Sequence, residues 1–348
     1  FYKVYIIYKM RTLVLNSGNI VPNTNNSVLE YLFVGGNVSL VRGQKVALAT
    51  IQMYYSTFNI TAANRNNRFS YVWVDGTGAN PVEYAVIFPD GFYDAAAINN
   101  FLHFTMVQNG HYLINDATGD FVYFITFSAN ANRYAIEVNC FGMSQVVYDP
   151  TLFTEGVGAA PAWTIPTTPA GELIIPMLRI EANAFRQVIG FEAGYYPLGE
   201  PTYAVDVITA GVPPAFSQAS GSTSTQTFLS TTVPQITPLS SYILNCSLVN
   251  NNYSVPNSVI YSFSPKGAFG AQFSIDPNEY IFIDVLPAQY NRFQVYFTDQ
   301  NNQPVAIQDP NLILQLLITD PEDDNSPQKM LKDMREMFSD LGQLRTRG

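Results

Sequence analysis

Val46-Ala-Leu-Ala-Thr-Ile-Gln-Met-Tyr-Tyr55 is a long, mainly apolar and aromatic run. It is too short to span a bilayer and fits a strand buried in a core. Working outward, Arg68-Phe-Ser-Tyr-Val-Trp-Val74 alternates large apolar residues and ends in the turn pair Asp75-Gly76. Phe121–Phe127 and Arg133–Asn139 flank a short Ser-Ala-Asn-Ala-Asn connection, which predicts a hairpin. Further strands are predicted over Ser258–Phe263, Glu279–Leu286, Arg292–Phe297 and Asn311–Ile318. Strand after strand, with Asn, Gly and Pro between them, reads as an all-β sandwich or barrel.

One helix interrupts the pattern. Asp94 stands as its N-cap, Ile98, Phe101, Leu102 and Met106 follow helical spacing, and Gly110 sits where a C-terminal stop belongs. The helix is expected across one end or face of the sandwich. Residues 205–235 shift to Gly, Pro, Ser and Thr and are expected to form a long exposed loop.

Charged residues make up 13% of the chain, against about 25% in an average soluble protein, while aromatics reach 14%. Asn, Gln, Ser and Thr must therefore cover much of the surface, solvating it without long-range repulsion. Such a surface suits packing against copies of itself, and equally an extracellular β-domain. The net charge of −10 argues against specific nucleic-acid binding, which needs clustered Lys and Arg. No apolar segment is long enough for a membrane span.

Catalytic chemistry finds little support. His103 lies within the predicted helix and His111 just past it, without metal-ligand spacing. Gly35-Gly36 and Asp75-Gly-Thr-Gly78 lack the Lys-Ser/Thr of a phosphate loop. Asn115-Asp-Ala-Thr-Gly-Asp120 lacks the later Glu of a calcium loop and reads as a hairpin turn. Cys140 and Cys246, each inside an apolar strand pattern, read as buried free thiols. No cofactor and no metal ligand is predicted. The sequons at Asn25, Asn37, Asn59, Asn245 and Asn252 are what chance yields in a chain rich in Asn, Ser and Thr.

The two ends differ from the body. Residues 1–26 form an N-terminal arm in which Met10 is read as the natural start and residues 1–9 as upstream sequence. An N-terminal mass measurement on authentic protein that finds residues before Met10 overturns this. After the acidic hinge Asp320-Pro-Glu-Asp-Asp324, Met330, Met334, Met337, Leu341 and Leu344 recur at helical spacing, with Phe338 beside them. This amphipathic helical tail, residues 320–348 with its hinge, is expected to dock on a neighbouring subunit through those six side chains, since methionine faces adapt to partners.

A family resemblance rests on motif order. Val46–Thr61 leads through an Asn-rich turn to the Phe69-Ser-Tyr strand. Phe88-Pro-Asp-Gly-Phe-Tyr93 then leads into the helix, and Tyr261-Ser-Phe-Ser-Pro265 and Phe297-Thr-Asp-Gln-Asn-Asn-Gln-Pro304 precede a closing strand. This order resembles the minor capsid, or penton, proteins of virophages, polinton-like viruses and adintovirus-type elements, over residues 27–319. The resemblance implies a single jelly-roll capsid domain over that stretch, with no catalytic residues. It further implies a homo-pentamer at the vertex of a virion, in contact with major capsid protein capsomers. A host receptor is a further expected partner. The alternative is a receptor- or glycan-binding sandwich, in which Trp73 and Trp163 would stack on sugars rather than pack in a core.

Overall fold

The computed structural model describes residues 10–74, 81–145, 147–166, 175–197, 225–237 and 239–319. Residues 1–9, most of the Ser/Thr-rich stretch and the tail 320–348, with Met330, Met334, Met337, Phe338, Leu341 and Leu344, lie outside them.

Eight strands build the two main sheets of the first unit: β1 (Met10–Asn16), β2 (Val28–Leu32), β3 (Lys45–Tyr54), β4 (Tyr242–Cys246), β5 (Val259–Phe263), β6 (Gln272–Ile275), β7 (Arg292–Thr298) and β8 (Ile313–Thr319). They pair antiparallel in two sheets, ordered β1-β8-β3-β6 and β5-β4-β7-β2. Successive strands alternate between sheets except β4 and β5, so the chain winds as a jelly roll. Alternation places Phe293, Val295 and Phe297 of β7, and Leu314, Leu316 and Ile318 of β8, in the core. Phe263 of one sheet approaches Phe273 of the other at 6.2 Å between ring centroids.

β3 explains why its sequence reads as continuous rather than alternating. Its register against β8 shifts between Gln315 and Leu316, so that Gln315 faces Thr50 and Leu316 faces Leu48. The extra residue, Ala49, is a β-bulge. Val46 and Leu48 point inward before it, and Ile51 and Met53 point inward after it. The bulge changes the parity of the strand, and the apolar face continues.

The sequence reading placed one sandwich over residues 27–319, but the chain divides into two compact units. Residues 10–57 and 239–319 form the jelly roll; residues 58–238 are inserted between β3 and β4. This second unit contains three antiparallel sheets among its described residues. Arg68–Val74 pairs with Pro81–Ile87 and with Met177–Ile180, which in turn pairs with Gly194–Tyr196. Ala135–Phe141 pairs with Ile125–Asn130 and with Thr225–Leu229. The end of the stretch expected to be a polar loop is thus a sheet edge.

The helix forms as expected, as α1 (Ala95–Asn109), and belongs to this second unit. The Ala97 amide donates to Asp94 Oδ1 at 2.7 Å, and Gly110 closes the helix in the left-handed region at φ 79°. Ile98, Leu102 and Met106 are buried, and Phe101 packs at the edge of the same core. Asn99 Oδ1 accepts from the Phe127 amide at 2.8 Å, tying α1 to Ile125–Asn130. A shorter helix, α2 (Phe185–Ile189), adds Phe185, which stacks on Phe69 at 5.1 Å.

Two predicted strands need correction. Phe121–Phe127 splits at Tyr123-Phe124: Phe121–Val122 pairs with Leu113–Ile114, and Ile125–Asn130 forms the hairpin with Ala135–Phe141. Within Glu279–Leu286 just Ile283–Asp284 is a strand, pairing with Val46 and Lys45 at the sheet edge. An edge position leaves half of its apolar residues, including Tyr280 and Ile281, facing solvent.

Candidate functional site

His111, Tyr71, Trp73 and Trp163 are the residues whose types most invite a functional reading, and folding brings all four together. Tyr71 and Trp73 project from Arg68–Val74, and His111 follows the Gly110 cap. Asn109 Nδ2 donates to the Tyr71 hydroxyl at 3.0 Å, and that hydroxyl lies 2.7 Å from His111 Nδ1. The imidazole stacks on Trp73 at 4.7 Å and meets Tyr84 edge-on at 4.5 Å. Burial pushes its pKa down to about 3, so the ring is neutral and shares one hydrogen bond with the Tyr71 hydroxyl through Nδ1. Trp163 crosses Trp73 at 5.0 Å and 90°, and its Nε1 donates to the Gly110 carbonyl. Both tryptophans are buried, so neither offers a face to a sugar. The arrangement is aromatic core packing, in which the Trp73 Nε1 is buried without a hydrogen-bond partner among the described residues.

His103 stacks on Tyr123 at 3.7 Å with Nε2 at 3.2 Å from the Ile125 carbonyl, and burial lowers its pKa. Cys140 and Cys246 are free, buried thiols whose pKa values burial pushes up to about 12, far from nucleophilic use at neutral pH. Asn115–Asp120 closes a turn, with Gly119 donating to the Asn115 carbonyl at 2.7 Å and standing at φ 77°. Among the described residues no group of three His, Cys, Asp or Glu side chains could hold a metal ion.

Two of the sequons are structural. Asn245 is fully buried: its Nδ2 donates to Thr298 Oγ1 at 3.1 Å and its Oδ1 accepts from Ser258 Oγ at 2.9 Å. Asn59, also buried, donates to the Tyr93 and Ile236 carbonyls and accepts from the Tyr93 amide. Asn25, Asn37 and Asn252 are exposed.

The inserted unit also carries a cleft of about 550 Å³ that sequence reading missed. Arg68 donates to Glu181 at 2.9 Å, Ser70 donates to the same oxygen at 3.1 Å, and Arg179 pairs with Glu83. The Arg179 guanidinium also lies 5.5 Å from the centre of the Tyr195 ring. Its charges cancel in pairs, leaving a polar surface with no unpartnered cation for an anionic ligand. No local motif marks the cleft, because its charges come from strands far apart in sequence.

Fold and site together define a single jelly roll with a β-rich insertion between its third and fourth strands. No protein-family model matches the chain, and no curated protein does. Among solved structures it is similar to the mavirus penton protein, at 10% identity and a TM-score of 0.40, covering 90% of this chain and 99% of that one. It is also similar to a chain of the Sputnik virophage structure, at 12% identity and a TM-score of 0.35, covering 90% and 98%. At these identities and TM-scores the likeness carries no functional argument. The jelly roll is defined by the strand order itself. Among the described residues no helix is long and apolar enough to cross a membrane.

Proposed function

We propose that this chain is a structural protein of a viral capsid, the penton subunit that closes a five-fold vertex of the virion. The observation that carries the reading is the order of the eight main strands in two sheets, β1-β8-β3-β6 and β5-β4-β7-β2, an architecture recurrent in capsid subunits. This is an argument by fold-level analogy, joined to surface chemistry. Among its described residues the inserted unit, with sheets of three and four strands and α1, does not repeat the eight-strand order, and a single roll suits a vertex subunit rather than a double-roll capsomer. A ring of five needs heterologous contacts, one flank of each subunit meeting the opposite flank of the next. With 13% charged residues, such flanks meet with little charge to desolvate. Contacts with major capsid capsomers belong to the same reading. The glycan-binding alternative loses the two tryptophans on which it relied.

Native mass spectrometry of the full chain tests the proposal. A pentamer is the expected species; a stable monomer or a trimer overturns the vertex assignment.

A further inference from the structure

One end of the jelly roll exposes apolar side chains on every loop it carries. The β2–β3 connection holds Val34, 99% exposed, and Val41; the β4–β5 loop holds Tyr253, fully exposed, and Val255, at 93%; the β6–β7 loop holds Ile281 and Leu286. Hydrogen bonds fasten these loops to one another. The Asn250 amide donates to the Asp284 carbonyl, Leu286 donates to Leu248, and Val38–Leu40 pairs with Ala288–Tyr290. Loops held this firmly, with apolar tips facing water, form a surface awaiting a cover.

The C-terminal end of β8 is pinned at the same place. Gln44 Nε2 donates to the Thr319 carbonyl, and the Lys45 amide donates to Thr319 Oγ1 at 3.0 Å. From that anchor the seven residues 320–326 reach about 25 Å when extended. Beyond them comes the stripe of Met330, Met334, Met337, Leu341 and Leu344. Lys329, Lys332 and Arg335 belong to the same segment, while Asp276 and Glu279 are exposed on the β6–β7 loop.

We propose that residues 327–348 pack their methionine stripe onto the loop end formed by Val34, Val41, Tyr253, Val255, Ile281 and Leu286 of the same chain. A short tether starting beside the surface holds the stripe at a high effective concentration, which favours its own chain over a neighbour. The proposal does not depend on the capsid reading, because it concerns contacts within one chain.

Hydrogen exchange on the full chain and on a Met334→Glu/Met337→Glu variant tests it. Amides of 247–258 and 276–291 should exchange about 10-fold faster in the variant, with those of β3 and β8 unchanged. Protection in the parent chain should survive about 100-fold dilution. Equal exchange in both proteins overturns the proposal, as does acceleration spread through β3 and β8. Protection lost on dilution overturns it too, and assigns the surface to a second copy. Val255→Cys with Met337→Cys, joined by a short bis-maleimide, should crosslink within a chain; crosslinking solely between chains contradicts the proposal.

Discussion

Replacing Gly158 by alanine is expected to destabilise the inserted unit by on the order of 3–5 kcal/mol. A Cβ at this position would lie 2.1 Å from the Gly110 nitrogen, 2.2 Å from the Asn109 carbonyl carbon and 2.5 Å from the Gln108 carbonyl oxygen. All three are backbone atoms at the end of α1, and none can swing aside. The crossing is also fixed by hydrogen bonds: the Ala159 amide donates to Gln108 at 2.7 Å, and the Gly156 amide donates to Tyr112 at 2.8 Å. Relief of the clash therefore means moving the helix terminus, and with it His111 and Trp163. Gly119→Ala supplies the contrast. Gly119 has the left-handed φ of 77° but nothing within 4 Å, so that substitution should cost about 1 kcal/mol, from backbone strain alone. The two tryptophans of the chain, Trp73 and Trp163, both lie in this unit, so urea unfolding followed by their fluorescence reads its stability. A Gly158→Ala protein within 1 kcal/mol of the parent, roughly the cost of an ordinary substitution, would show that the two backbones can part.

Features with a local cause were legible in the sequence. α1 could be bounded to the residue because Asp94 and Gly110 satisfy its ends chemically. β7 alternates along most of its length because it buries one face. What escaped was pairing at a distance. β3 pairs with β8 across more than 250 residues, and the start of the insertion, after Thr57, is marked by no change of composition. A chain of strands reads alike whether it closes one sandwich or two units. The same reason hid the ion-paired cleft, in which Arg68 meets Glu181 and Arg179 meets Glu83 across a sheet. It also hid the apolar loop end, since an apolar residue in a loop gives no sign of what faces it. Of the residue types that invite a catalytic or binding reading, both tryptophans, both cysteines and His111 are buried and His103 is half-buried, as their apolar surroundings imply.

Acidification from pH 7.5 to pH 5 is expected to remove about 2 kcal/mol from the inserted unit through His111 alone. His111 is 1% exposed, and its pKa falls from the ordinary 6.5 to about 3 in the folded chain. The unfolded chain thus binds the proton more tightly than the folded one. For a base whose folded pKa is depressed, stability is fully present above the unfolded value and is lost as pH falls below it. The loss begins near pH 6.5 and levels off near pH 3, where it reaches about 5 kcal/mol at roughly 1.4 kcal/mol per pH unit. His103, also held neutral by burial, acts in the same direction. Structurally, an imidazolium here would sit buried against Trp73, Tyr84 and the Tyr71 hydroxyl, which already accepts from Asn109, with no carboxylate among these contacts to offset the charge. The window between pH 7.5 and 5 isolates the histidines, because exposed carboxylates titrate lower. Urea unfolding by tryptophan fluorescence at both pH values should show the drop, and His111→Gln should flatten most of it. Equal stability of the parent chain at the two pH values would mean that the imidazole can be protonated without leaving its aromatic cage.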